Sequence, residues 1–146
     1  MSTNSARTKM RLLLVVLGFC ALNLRLSAQT WMPQVSGTYA HFASVQFVDE
    51  HTGWVCGSAG KVIKTIDGGA NWFQPGSTLG VDLSALCFVD ANTGWVAGLG
   101  GVISKTTDGG VSWTLQSVGT TGWLNCIQFL DSQTGWAAGL YGTILK

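Results

Sequence analysis

Phe47-Val48-Asp49-Glu50-His51-Thr52-Gly53-Trp54-Val55 decides the fold, because the chain returns to it at Phe88-Val89-Asp90-Ala91-Asn92-Thr93-Gly94-Trp95-Val96 and, slightly altered, at Phe129 to Ala137. Each copy starts 41 residues after the one before. A period of about 40 residues, with strand-length apolar runs between glycine turns, is the mark of a β-propeller blade. Outward from this stretch the frame holds without insertion or deletion. Trp31, Trp72 and Trp113 form one column, and Trp54, Trp95 and Trp136 another. Asp49, Asp90 and Asp131 recur, as do Gly57, Gly98 and Gly139, then Gly60, Gly101 and Gly142, and finally Lys64, Lys105 and Lys146.

Each unit resolves into four short runs. The first covers Ser44 to Val48, Ala85 to Val89 and Cys126 to Leu130; the second is the Gly-Trp run at Gly53, Gly94 and Gly135. The third covers Val62 to Thr65, Val102 to Thr106 and Thr143 to Lys146, and the fourth begins at Trp72 and Trp113. All are rich in β-branched and aromatic residues and bounded by Gly or Asp. The expected fold is therefore all-β: a propeller of four-stranded antiparallel blades, with about three blades' worth present. The repeat units fall at about 43–83, 84–124 and an incomplete 125–146, with residues 30–36 as an outer strand of a blade. The tryptophans of the two columns are expected to pack in cores or hairpins. The lysine column is expected to be a repeated surface or hairpin contact, with a basic binding ladder as the other reading.

Between the third and fourth runs lies Thr65-Ile66-Asp67-Gly68-Gly69-Ala70-Asn71-Trp72, repeated as Thr106 to Trp113. The Asp carboxylate can accept backbone amide bonds inside such a turn, and the Trp packs back over the hairpin. Thr65, Asp67, Gly69 and Trp72, with Thr106, Asp108, Gly110 and Trp113, resemble the Asp box of BNR-type propellers; Asn71 departs from the usual Ser/Thr. The wider unit, F-V-D-x-x-T-G-W-x-x-G followed by T-x-D-G-G-x-x-W, resembles the photosystem II stability/assembly factor family. The resemblance covers nearly everything from Trp31 to Lys146. It implies a propeller and a protein partner that is a membrane-protein assembly intermediate. Family members in photosynthesis are expected to use an arginine-rich face.

Residues 1–28 read differently. Arg7, Lys9 and Arg11 precede an apolar stretch from Leu12 to Leu24, followed by Leu26-Ser27-Ala28. That is the layout of a secretory signal peptide, and a stretch of 13 residues falls short of the roughly 20 that span a bilayer. Export to the periplasm, the cell surface or the medium is expected, with cleavage after Ala28. Residues 29–146, the partial propeller, then hold four lysines, no arginine and seven acids, a net charge of about −3. Such a balance disfavours nucleic acid and anionic membrane surfaces as partners. Cys56, Cys87 and Cys126 remain; small buried thiols in strands are expected, and the spacing selects no disulfide.

No catalytic constellation is present. A sialidase, the enzyme that BNR resemblance brings up, needs arginines for the substrate carboxylate and acidic partners for its tyrosine. Here Glu50 is the lone glutamate, and five of the six aspartates fall in repeat-turn columns, leaving Asp82 outside. His41 and His51 are the only histidines and lie in no zinc spacing. No phosphate loop or nucleophile elbow appears. No cofactor or metal is expected, and the chain reads as not an enzyme.

Binding is better placed. In an antiparallel blade the first-to-second and third-to-fourth connections share one face, which here carries the repeated turns. The opposite face gathers the second-to-third loops and the blade-to-blade connections, where the sequence varies. Tyr39, His41, Asp82, Leu99, Trp123 and Tyr141 are the candidates for a partner-binding face, Ser58 lying in the same set of loops. Trp123 stands out as a tryptophan outside the repeated columns. Two functions remain open: a non-catalytic exported scaffold or protein-binding module, and a piece of a carbohydrate-binding or sialidase-like propeller whose active residues, and a glycan ligand, lie in other blades. A seven-bladed ring at this period needs about 287 residues, so a longer propeller is expected, with self-assembly of several chains as the alternative.

Overall fold

The computed structural model describes residues 30–146. The chain divides into two units, Met1–Pro33 and Gln34–Lys146; the second carries every strand among the described residues. The signal-peptide reading falls on residues outside the described part.

Among the described residues, ten strands form three antiparallel sheets. The first blade contains β1 (Phe42–Phe47), β2 (Gly53–Gly57) and β3 (Val62–Thr65), in that order. The middle blade contains β4 (Leu83–Phe88), β5 (Gly94–Gly98), β6 (Ile103–Thr106) and β7 (Thr114–Gln116). The third contains β8 (Leu124–Phe129), β9 (Gly135–Gly139) and β10 (Ile144–Leu145). The register repeats with the sequence: Gln46 opposes Trp54, Cys87 opposes Trp95, and Gln128 opposes Trp136. This is the blade expected from the repeat.

The fourth strand is uneven for a stated reason. In the middle blade Gln116 pairs with Ile103. In the first blade Pro75 stands in Gln116's column, and without an N–H it cannot continue the ladder. The strand expected from Trp72 shrinks to a single bridge, Lys64 to Phe73. The outer strand expected at 30–36 is not formed either: these residues pair with no strand, and Trp31 is fully exposed at 101%. Trp31 thus departs from its column. The residues before it, Leu24 to Thr30, lack the Asp and Gly of the turn that seats Trp72 and Trp113.

The blades pack face to face, and two cores fill the gaps. Trp54, Cys56, Val62, Leu83, Leu86, Phe88 and Val96 lie between the first and middle blades. Ala85, Cys87, Trp95, Ala97, Ile103, Leu124, Ile127 and Ala137 lie between the middle and third. β4 serves both, because alternate residues of a strand point to opposite faces. The aromatic columns are what join the blades. Trp54 stacks on Phe88 at 3.8 Å, and Trp95 on Phe129 at 3.6 Å. The Trp54 indole N–H also donates to the Gly109 carbonyl at 2.9 Å.

The strand residue before each phenylalanine adds a polar lock. The Gln46 amide donates to the Phe88 carbonyl at 3.0 Å and accepts the Phe88 N–H at 2.7 Å. Cys87 occupies the same place one blade on, its sulfur accepting the Phe129 N–H at 3.2 Å. The lysine column belongs to these junctions. Lys64 lies 4.8 Å from the Trp54 ring and 3.5 Å from the Ala91 carbonyl of the next blade, and Lys105 repeats this over Trp95 and toward Ser132. Burial lowers the Lys64 pKa, while nearby Asp108 pulls it back up. Cys56, Cys87 and Cys126, the cysteines among the described residues, are free. Cys56 and Cys87 are buried as expected, and burial pushes the Cys56 thiol up to about 12. Cys126 is exposed, against expectation, because no blade covers its side of β8.

Candidate functional site

Two faces of the blades are built on opposite plans. On one, the recurring Asp, Thr and Asn/Ser side chains are consumed by their own turns. Asp49 accepts the His51 and Thr52 amides at 2.8 and 2.7 Å, and Asp90 and Asp131 do the same in their copies. These amide bonds hold all three carboxyls below the usual range. In the Asp boxes the Thr65 hydroxyl donates to Asp67 at 2.8 Å and accepts the Gly69 N–H at 2.9 Å. Asn71 replaces the usual Ser/Thr without loss: its backbone and side-chain amides both donate to Asp67, at 2.9 and 2.8 Å. Asp108 takes the same set from Thr106 and Ser112, and the Ser112 hydroxyl leads in lowering its pKa to about 2. The turns are cross-tied, since Gly68 and Gly109 donate to His51 and Asn92. Each of these carboxylates closes its own turn.

The opposite face repeats only its backbone. Each second-to-third connection is a 3-10 turn, at Ser58–Gly60, Leu99–Gly101 and Leu140–Gly142. The first residue of each turn donates its N–H, at 2.9 Å, to the carbonyl of the residue entering the blade: Ser58 to His41, Leu99 to Asp82, Leu140 to Trp123. That approach explains one glycine column. A Cβ at Gly57, Gly98 or Gly139 would lie 2.0, 2.1 or 2.1 Å from those same carbonyl oxygens. The scaffold is therefore fixed while its side chains differ. His41, Asp82 and Trp123 are in fact one column, 41 residues apart, which the 41-residue frame could have revealed.

All six candidate residues are exposed. Tyr39 and Tyr141 stand almost free, at 105% and 93%, whereas Leu99 and Trp123 are partly packed, at 44% and 38%. His41, Asp82, Leu99 and Trp123 sit in the paired turns; Tyr39 lies two residues before that column. Asp82 has a structural share, its carboxylate accepting the Ala59 N–H at 2.8 Å across the blade junction. Sequence reading missed Leu140, exposed beside Trp123, and the strain next to it. Tyr141 has φ of +59° where its repeat counterpart is Gly100, a left-handed backbone that disfavours a bulky side chain. Ala59 shares that strain with φ of +55°.

A cleft lies elsewhere, between the middle and third blades. Its volume is about 370 Å³, and Trp95, Lys105, Val118, Phe129, Trp136 and Leu145 are among its walls. Its walls carry no carboxylate, histidine or cysteine side chain; their polar groups include Lys105, Gln116, Ser117, Ser132 and Lys146. Among the described residues, no group of three or more His, Cys, Asp or Glu could hold a metal ion.

Sheet order, period and Asp-box turns define a partial β-propeller with an invariant face and a variable one. Solved structures place that architecture among known proteins. The chain is similar to YCF48 bound to a D1 peptide, with 28% identity and a TM-score of 0.64, over 73% of this chain and 37% of that one. It is also similar to YCF48 from Cyanidioschyzon merolae, with 24% identity and a TM-score of 0.61, over 73% of this chain and 36% of that one. This chain thus spans little more than a third of the length of those proteins. YCF48 is a photosystem II assembly factor. No family model and no curated protein matches the sequence.

Proposed function

We propose that the chain belongs to a non-catalytic, exported propeller that grips a segment of another protein with its variable face. One observation carries this reading: three superposable turns hold different exposed side chains, and one of them, Tyr141, keeps a large ring at a left-handed position where glycine is the easy choice. Backbone strain retained under an exposed aromatic is a recurring property of binding sites. The likeness to YCF48 bound to a D1 peptide supports a protein segment as ligand. The face offers Tyr39, Trp123, Leu140 and Tyr141 on a part of the chain, residues 29–146, that is mildly acidic and free of arginine, so the segment it suits is aliphatic or aromatic with basic flanks. The lack of arginine favours a general cell-surface or secreted interaction module over a photosynthetic role.

The test is peptide binding to the purified chain, using a D1 peptide and a panel of apolar–basic peptides. Trp123→Ser and Tyr141→Gly should each weaken capture by about tenfold or more, while Thr107→Ala on the opposite face leaves it unchanged. Binding that survives both variants would overturn the reading. Export rests on residues 1–28, and mass spectrometry of the secreted chain should find Gln29 at its N-terminus.

A further inference from the structure

The first and middle blades follow one frame, yet they treat one corner in opposite ways. It is the corner where the third strand, the outer strand and the outgoing connection meet. In the first blade the corner is shut. The Leu79 N–H donates to the Gly60 carbonyl at 3.1 Å, and Leu79 and Val81 pack on the core between the first and middle blades. The Lys61 ammonium donates to the side-chain carbonyl of Gln74 at 2.7 Å.

In the middle blade, 41 residues on, the columns of Leu79 and Val81 hold Thr120 and Gly122, and those of Lys61 and Gln74 hold Val102 and Leu115. The cover has lost two aliphatic side chains and the floor has gained two. The Thr120 hydroxyl accepts the Gly122 N–H at 3.2 Å, and Val118 packs on the core in place of Leu79. What stays open is a pocket of about 320 Å³ with Gly100, Val102, Leu115, Val118, Thr120 and Thr121 among its walls. The middle blade is flanked on both sides, so the opening belongs to this corner itself.

Asp82 stands across the same turn. Its carbonyl accepts the Leu99 N–H at 2.9 Å, and Leu99 opens the turn whose Gly100 and Gly101 border the pocket. One carboxylate oxygen accepts the Ala59 N–H at 2.8 Å, and the other takes no hydrogen bond or salt bridge among the described residues. The remaining aspartates, Asp49, Asp67, Asp90, Asp108 and Asp131, lie in turns of the opposite face.

We infer that the middle blade sets the specificity of the variable face: an aliphatic side chain of leucine size fills the pocket, and an arginine or lysine of the same segment pairs with Asp82. This rests on the reading of that face as a grip for a protein segment. The ligand's leucine gives Val102 and Leu115 the apolar cover that the chain's own connection withholds, and the free carboxylate oxygen selects the cation. Asp82 precedes β4 at one edge of the sheet, whereas the pocket borders β6 and β7 at the other. Two to three strand spacings, about 10–14 Å, separate the two points. About three or four residues of an extended segment cover that span.

Titration calorimetry tests this, using the full chain and short peptides that carry one leucine and one arginine at varied separations. Binding should be tightest where the two lie about three or four residues apart, and replacing the peptide's leucine by alanine should weaken it about tenfold. Asp82→Asn keeps an oxygen for the Ala59 N–H and removes the charge. It should weaken binding about fivefold, abolish the preference for arginine over glutamine in the peptide, and lose its effect at high salt. Thr120→Leu restores the first blade's residue and should weaken binding about tenfold, with near-ultraviolet circular dichroism unchanged. Peptides that are lost on Trp123→Ser but indifferent to their own leucine, to Asp82→Asn and to Thr120→Leu would overturn this inference and leave the protein-segment reading standing. Failure of every peptide to bind would overturn both.

Discussion

β4 and β1 are the same strand of successive repeats, yet they inhabit different surroundings. In β4 every residue but Ser84 is buried; in β1 none is. Phe88 is 3% exposed between Trp54 and Trp113, while its counterpart Phe47 is 40% exposed. The difference owes nothing to local sequence, since the pairing register of the two blades is the same. It arises because the middle blade is covered on both sides and the first on one. A propeller blade is half a core until its neighbour arrives.

Equivalent substitutions should therefore have unequal effects along one column. Trp54→Ala removes a fully buried ring, its stack on Phe88 and its bond to Gly109, and should cost about 3–5 kcal/mol. Trp136→Ala, at a 38% exposed position, should cost about 1 kcal/mol. Chemical denaturation of both variants breaks the comparison if the two values coincide. Gly98→Ala comes next. Its Cβ would lie 2.1 Å from the Asp82 oxygen at an extended φ of −175°, so the cost is steric, about 1–3 kcal/mol.

Acid should find the Asp boxes. Asp108 ionises near pH 2 in the folded chain against 3.8 in the unfolded reference. A depressed folded pKa stabilises above the unfolded value, so its contribution is complete above about pH 4 and fades as pH falls toward 2. Thermal melts from pH 6 to 2 should show that decline, and Asp108→Asn should flatten part of it. Tyr141→Gly should raise stability by about 1 kcal/mol by relieving its left-handed backbone, a gain in melting temperature that accompanies the expected loss of binding. Smallest is the lysine column. Lys64→Met gives up a cation over a buried indole, about 0.5–1 kcal/mol. Lys146→Met, 5.7 Å from the half-open Trp136, should register close to zero.

The repeat frame made the blades legible, because a turn such as Asp67 to Trp72 is closed by its own residues and needs nothing distant. It also divided the invariant face from the variable one. What it could not supply was context. Trp31, Trp72 and Trp113 are one column, but the position of a tryptophan depends on the turn before it, and the sequence before Trp31 lacks the Asp and Gly of that turn. Pro75 showed in the sequence, yet its effect on the ladder depends on which N–H groups face β3. The strain at Ala59 and Tyr141 was hidden for a similar reason, since a left-handed backbone is announced by glycine and these positions carry other residues. The likeness to YCF48 agrees with the sequence resemblance and is silent on Tyr39, His41 and the rest of the variable face.

The Gln46 and Cys87 locks have a mechanical consequence. An amide with bonds of 3.0 and 2.7 Å ties the first blade to the middle one, whereas the middle and third are tied by a sulfur 3.2 Å from an N–H and 3.9 Å from a carbonyl. Thiols are weak hydrogen-bonding groups. Pulled from its ends, the chain should part first between the second and third blades, at the lower force, and the pair joined by Gln46 should hold on as the last tether.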